Sequence, residues 1–258
     1  MLSADQCERV EVVLVSPRNP LNIGAAARAM ANFGFRRLSI VAPFAVNWME
    51  AKSAVGAPEL LREAVVFETL GEAVRSCTLV LGTGSLDRRK PEQAILGLPE
   101  AAERARAVVA DGTAGTDRAA SGRVALVFGS EKHGLTSDDL SWCHAVVVID
   151  TCEAQPSMNL GQAVAVCLYE VSRSGTARPE MAAKGVRVPD SGQLDRLAEL
   201  VEETMAAVNY STRGMRSANG EAMRILLRRL MPEEADMRRM MGLFRRILWQ
   251  LKQRTGRS

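Results

Sequence analysis

Short apolar runs, each cut off by a polar or proline-containing segment, set the rhythm of the chain as far as Val171. Val10 to Val15 stops at Ser16-Pro17-Arg18-Asn19-Pro20, Leu38 to Val41 at Pro43, and Cys77 to Leu81 at Gly82-Thr83-Gly84-Ser85. Val124 to Phe128 stops at Gly129-Ser130-Glu131, and Ala145 to Ile149 at Asp150. Runs this short, bounded by turn residues, read as strands. Between them the apolar positions move to helical spacing. Ile23, Ala26, Ala27, Met30 and Phe33 follow Asn22, which stands where a helix cap belongs, and precede Gly34, a plausible stop. Glu59 to Phe67, Leu70 to Arg75, residues 100–110 and Leu160 to Tyr169 predict further helices, and 111–122 a surface loop. A strand, a short helical crossover and a second strand imply a parallel pair. The pattern therefore predicts an α/β fold with a mainly parallel sheet.

Beyond Val171 the pattern changes. Residues 174–193 hold two prolines, three glycines and no periodicity, which reads as a linker. Leu194 to Val208, Glu221 to Leu230 and Pro232 to Gln253 then read as three helices, with Pro232 at a helix start where its missing N–H costs nothing. The expected organisation is a body over 1–173, a linker over 174–193 and a small all-helical domain over 194–258.

Charge sharpens this division. The net charge is only +3, but residues 194–258 carry 13 Lys/Arg against 8 Asp/Glu, while the rest carries 20 against 22. A basic tail on a near-neutral body fits either a polyanionic partner or a solvated helical surface. No apolar run reaches the length of a membrane span, and the first residues lack the basic start and apolar core of an export signal. Five scattered cysteines with no C-x-x-C suit a reducing cytoplasm.

Most familiar catalytic motifs are missing. There is no G-x-x-x-x-G-K-[ST], and Gly82-x-Gly84 lacks the third glycine of a dinucleotide fingerprint. Ser157 lies in no G-x-S-x-G elbow. Cys143, His144 and Cys152 match no standard zinc spacing. What remains is polar residues on segments after strand ends, where open α/β sheets bind ligands: Asn22 with Arg28, Glu131, and Ser157 with Asn159. Singly, each has a plainer reading, as a helix cap, a surface arginine, a loop carboxylate, or a cap for a helix starting near Asn159.

Taken together and in order, three segments carry a resemblance. N-x-G-A-x-x-R-A-M from Asn22, L-V-F-G-x-E-x-x-G-L from Leu126 and S-M-N-L from Ser157 resemble the signature motifs of the SPOUT methyltransferases in their SpoU/TrmH branch. Order and wording are most similar to its TrmJ-like tRNA 2′-O-methyltransferases. The resemblance implies an α/β body with a C-terminal trefoil knot, S-adenosylmethionine as methyl donor without a metal, and a cytoplasmic homodimer. It assigns donor binding to Thr83, Gly84, Ser85, Gly129, Ile149, Pro156, Ser157 and Met158, and catalysis to Arg28, Asn22, Glu131, Ser157 and Asn159. The small-residue face of the first long helix, Gly24, Ala27 and Ala31, would suit the dimer contact. The expected substrate is RNA, foremost the pyrimidine ribose at position thirty-two in the tRNA anticodon loop. Another tRNA position, an rRNA, or a non-catalytic RNA-binding role are the alternatives. For Arg28 the resemblance implies activation of the ribose hydroxyl; a guanidinium is a poor base, which favours a phosphate clamp and stabiliser of developing alkoxide. Met158 stands in place of a commoner leucine, and Gln155 where an aromatic is often found, which bears on substrate preference.

Overall fold

The computed structural model describes residues 1–44, 57–84, 91–110, 122–152, 154–173, 187–212 and 214–255. Predicted features at Ser85, over most of the 111–122 loop and in linker residues 174–186 lie outside the described residues.

Seven strands form one sheet in the order β3-β2-β1-β6-β4-β7-β5, with every pairing parallel. They are β1 (Val10–Val15), β2 (Arg37–Val41), β3 (Val65–Phe67), β4 (Leu79–Thr83), β5 (Ala94–Gly97), β6 (Val124–Phe128) and β7 (Ala145–Val148). Every residue of β1 and β6 is buried, because both faces of these central strands are covered. One face packs on α2 (Pro20–Phe33), α5 (Leu98–Ala110) and α7 (Leu160–Ser172). The other carries α4 (Leu70–Ala73) and α6 (Ser137–Ser141) over Val13, Val80, Val127 and Cys143.

Several expectations are corrected. The helix predicted over Glu59 to Phe67 ends early: α3 spans Pro58–Glu63, and Val65–Phe67 pairs with β2 as an edge strand. Ala64 is already extended, and a β-branched and aromatic triplet suits a strand. The edge strand β5 and the short helices α1 (Ala4–Cys7) and α6 were not foreseen. α2 begins at Pro20, not at Asn22. The Asn19 side chain accepts from the Leu21 N–H and caps it, with proline at the first helical position. Its end at Gly34, in the left-handed conformation at φ 78°, matches the reading. Of the small-residue face of α2, Gly24 and Ala27 pack within the chain while Ala31 is exposed. Gly161 of α7 comes so close that an added Cβ would lie 2.6 Å from the Cβ of Ala25.

The tail forms three helices, α8 (Ser191–Ala207), α9 (Arg216–Leu230) and α10 (Glu234–Thr255), around Leu194, Leu197, Val201, Leu227 and Met237. Asp190 and Gln193 make a capping box, so α8 takes in the last three residues of the expected linker. Pro232 stands two residues ahead of α10 rather than at its start. The tail is seated on the body. The N–H groups of Ser191 and Gly192 donate to the carbonyls of Cys77 and Arg75 at 2.9 and 3.0 Å. Arg224 reaches Asp138 at 2.6 Å and Ser141 Oγ at 3.0 Å. Arg228, only 1% exposed, donates to the Trp142 carbonyl at 3.0 Å and to Ser191 Oγ at 2.7 Å. Both guanidinium groups also lie against the Trp142 ring. Part of the tail's positive charge is thereby turned inward, and desolvation pushes the Arg228 pKa down to about 10. Among the described residues, no helix is long and apolar enough to cross a membrane.

Candidate active site

Parallel strands end together, so the loops after β4, β6 and β7 meet at one edge of the sheet. They enclose a crevice of about 850 Å³, within the range of small-ligand pockets. Thr83 and Gly84 form one wall, Gly129 to Leu135 a second, and Ile149 to Thr151 with Pro156 to Met158 a third. Each wall is locally braced. Thr83 Oγ1 donates to the Val127 carbonyl at 3.0 Å, and Thr151 Oγ1 donates to the Pro156 carbonyl at 3.1 Å. The second wall folds back on itself, with the Gly134 N–H on the Ser130 carbonyl at 2.8 Å. That return requires both its glycines. Gly134 has φ +65°, and a Cβ on Gly129 would fall 2.0 Å from the Gly134 carbonyl carbon.

Beside the crevice the three signature segments are wired together. Asn159 donates to Asn22 Oδ1 at 2.8 Å, and Asn22 donates to Glu131 Oε1 at 2.9 Å. Glu131 also accepts from the backbone N–H groups of Arg18 and Asn19 at 2.9 and 3.0 Å. Asn159 Oδ1 caps α7 through the Gly161 N–H; Ser157, expected as a possible cap, lines the crevice instead. Partial burial would raise the Glu131 carboxyl, but the bonds from Asn22 and from the backbone outweigh it and hold its pKa below the ordinary carboxylate value. The carboxylate is thus a fixed anion at neutral pH, a brace between loops rather than a proton donor.

Of the predicted donor-site residues, Thr83, Gly84, Gly129, Ile149, Pro156, Ser157 and Met158 line the crevice, with Glu131. Asn22 and Asn159 stand behind it in the network. Arg28 does not join them. It is exposed on α2, six residues beyond Asn22 and therefore on another side of the helix, with Leu21 and Asn32. Sequence reading missed Leu135, Lys132 and Asp150 as crevice residues; Leu135 and Lys132 lie inside the second signature, where position alone could have marked them.

The crevice suits an adenosine-bearing donor: apolar Ile149 and Met158 offer surface to a base, and open space in front of Gly84 lets a ligand approach the backbone. Cys143 and His144 belong elsewhere. Cys143 is buried against Gly82, where an added Cβ would lie 2.7 Å from its Sγ. His144 accepts the Val80 N–H at Nδ1, and burial with nearby Arg228 pushes its pKa down to about 3. Among the described residues, no three His, Cys, Asp or Glu side chains gather as metal ligands would.

A wholly parallel sheet with a glycine-walled crevice at its carboxyl edge defines an α/β enzyme that binds a nucleotide-like ligand there. The particular family follows from comparison: residues 9–169 match the SpoU rRNA Methylase family, and the chain belongs to it. Membership in that family makes it an RNA methyltransferase. The tRNA (cytidine/uridine-2′-O-)-methyltransferase TrmJ of Klebsiella pneumoniae is 31% identical over 255 residues, 95% of this chain and 98% of that one. The tRNA (cytidine/uridine/adenosine-2′-O-)-methyltransferase TrmJ of Pseudomonas aeruginosa is 37% identical over 205 residues, 79% of this chain and 75% of that one. The crystal structure of TrmJ from Z. mobilis ZM4 superposes with a TM-score of 0.76 at 25% identity, covering 92% of this chain and 98% of that one.

Proposed function

We propose that the protein methylates the ribose 2′-hydroxyl of tRNA, at the pyrimidine in position thirty-two of the anticodon loop, and works as a cytoplasmic homodimer with a knotted catalytic body over 1–173 and a helical domain after it. The observation that carries the reading is the hydrogen-bonded chain Asn159–Asn22–Glu131, which joins three signatures far apart in sequence at the lip of one crevice. The tRNA 2′-O-methyltransferases named above, similar over most of the chain, support the substrate class. An unpaired loop nucleotide can also be splayed out of its stack and presented to a crevice, as a paired nucleotide cannot.

S-adenosylmethionine supplies a methyl group already activated on a sulfonium. Thr83, Gly84, Gly129, Ile149, Pro156, Ser157 and Met158 would hold it, with Ser85 assigned by the family motif. Glu131, locked by Asn22 and two backbone N–H groups, keeps the first and second signature loops at fixed separation, which is the alignment task of an in-line transfer. Arg28 presents a guanidinium able to grip a phosphate and to stabilise charge growing on the 2′-oxygen. On one chain it faces outward with the exposed Leu21. For Arg28 to reach a ribose held at a crevice, a second copy would have to pack on this strip.

The test is methyl transfer from labelled S-adenosylmethionine to unmodified tRNA, followed by mapping of the 2′-O-methyl group. Label at position thirty-two, abolished by a 2′-deoxynucleotide there, is the expected outcome. Transfer to rRNA alone, or to another tRNA position, would replace the substrate assignment.

A further inference from the structure

Two features at the carboxyl ends of β1 and β2 lie outside the donor crevice. Ser16 follows β1 with φ 46°, and Ala42 follows β2 with φ 42°. Both are non-glycine residues in the left-handed region, each directly before a proline, on neighbouring strands. Such backbone costs of the order of 1–3 kcal/mol per residue and persists where its surroundings hold it. Here they do. The Ser16 N–H donates to the Val41 carbonyl at 2.8 Å, Ala42 N–H to the Phe67 carbonyl at 3.0 Å, and Phe44 N–H to the Pro17 carbonyl at 3.1 Å.

The two turns deliver Arg18 and Phe44 to each other. The Arg18 guanidinium lies over the Phe44 ring, 4.3 Å from its centroid, while the ring remains 70% exposed. A large aromatic so exposed contributes little to the core. Its place is fixed nonetheless, because the Arg18 N–H is one of the groups bound by the Glu131 carboxylate. The pair therefore stands one hydrogen bond from the network that braces the crevice.

We propose that Phe44, backed by Arg18, is a stacking platform for an unpaired base of the RNA substrate, next to the nucleotide being methylated. The inference rests on the reading of the protein as an RNA methyltransferase and adds to it a subsite for a neighbouring base. One ring face is covered by a cation, which polarises the ring; a base takes the open face. Stacking of this kind accepts any base, since every base offers a π-face. The platform therefore adds affinity and orientation without sequence preference, and its ring makes no phosphate contact.

The experiment compares wild type with Phe44→Ala and Phe44→Trp, measuring tRNA affinity across a salt series, affinity for S-adenosylmethionine alone, and molecular mass in solution. For Phe44→Ala the expected result is tRNA binding weakened about 5- to 150-fold. Its slope of log affinity on log salt should stay unchanged because no phosphate contact is lost, as should donor affinity and mass, while Phe44→Trp binds like wild type. Unchanged tRNA affinity in Phe44→Ala overturns the platform while leaving the methyltransferase reading intact. A fall in mass would assign the ring to a contact between copies and overturns it too. Failure of the wild type to bind any RNA removes both readings together.

Discussion

Gly84 offers a direct test of where the methyl donor sits. A Cβ built there meets nothing within 4 Å, and the residue is not in the left-handed region. Gly84→Ala should therefore leave the ligand-free protein unstrained, and by narrowing the unfolded ensemble raise its stability by about 0.4–1 kcal/mol. Donor binding should respond oppositely. If the donor lies against the end of β4, the added methyl enters space the ligand needs, at a cost of about 1–3 kcal/mol by analogy with overpacked cores. At 1.4 kcal/mol per tenfold, that is about a 5- to 150-fold rise in Kd. Gly129→Ala is the contrasting control. Its Cβ would fall 2.0 Å and 2.2 Å from backbone atoms of Gly134 and Leu135, which cannot swing aside as a side chain can. That variant should lose thermal stability and donor affinity together. Calorimetric titration with S-adenosylmethionine, beside thermal melts of both variants, separates the cases. An unchanged Kd in Gly84→Ala, whatever its melting temperature, would refute the placement of the donor against Gly84.

Arg28→Ala should slow single-turnover methylation about 10²- to 10³-fold while donor Kd stays within a few-fold, since Arg28 lines no part of the crevice; Arg28→Lys should fail as well because an ammonium cannot reproduce the fork, and near-normal turnover in either would remove Arg28 from the chemistry. Glu131 has a folded-state pKa below its ordinary value of 4.5, so its contribution to stability is complete above that value and is lost as pH falls below it. Urea midpoints from neutral pH downward should thus show a steeper acid limb in wild type than in Glu131→Gln, and parallel limbs would show that the carboxylate braces nothing.

What was legible in the sequence was what short-range chemistry dictates. β6 is apolar throughout, and β1 apolar but for Glu11, because both faces are buried, and Gly34 was readable because a left-handed helix end favours glycine. β3 and β5 were not, since three or four residues at a sheet edge carry too little pattern and their partners lie elsewhere in the chain. Asn22 was placed on the right segment for the wrong local reason. A cap position was plausible, but Asn19 and Pro20 fill that role and free Asn22 for Glu131, 109 residues away. The motifs thus located the site's loops without revealing that Asn22, Glu131 and Asn159 touch. Arg228 was invisible in another way: beside Arg229 at the end of a helix it reads as solvated charge, and only the tertiary structure shows it enclosed between Trp142 and Ser191.

The enclosure of Arg228 bears on how the polypeptide matures during synthesis. The arginine emerges from the ribosome well after the strands it helps to cover, so Trp142 waits uncovered for chain made 86 residues later. A nascent body ending near the family's 169-residue boundary has all three signatures but not its α9 cover. Removing the helices after synthesis would strip that cover too, leaving an indole and a row of backbone carbonyls at Trp142, Cys77 and Arg75 open to water. The tail is in this sense a late-arriving piece of the body's own wall, and a truncation at residue 190 tests folding as much as RNA recognition.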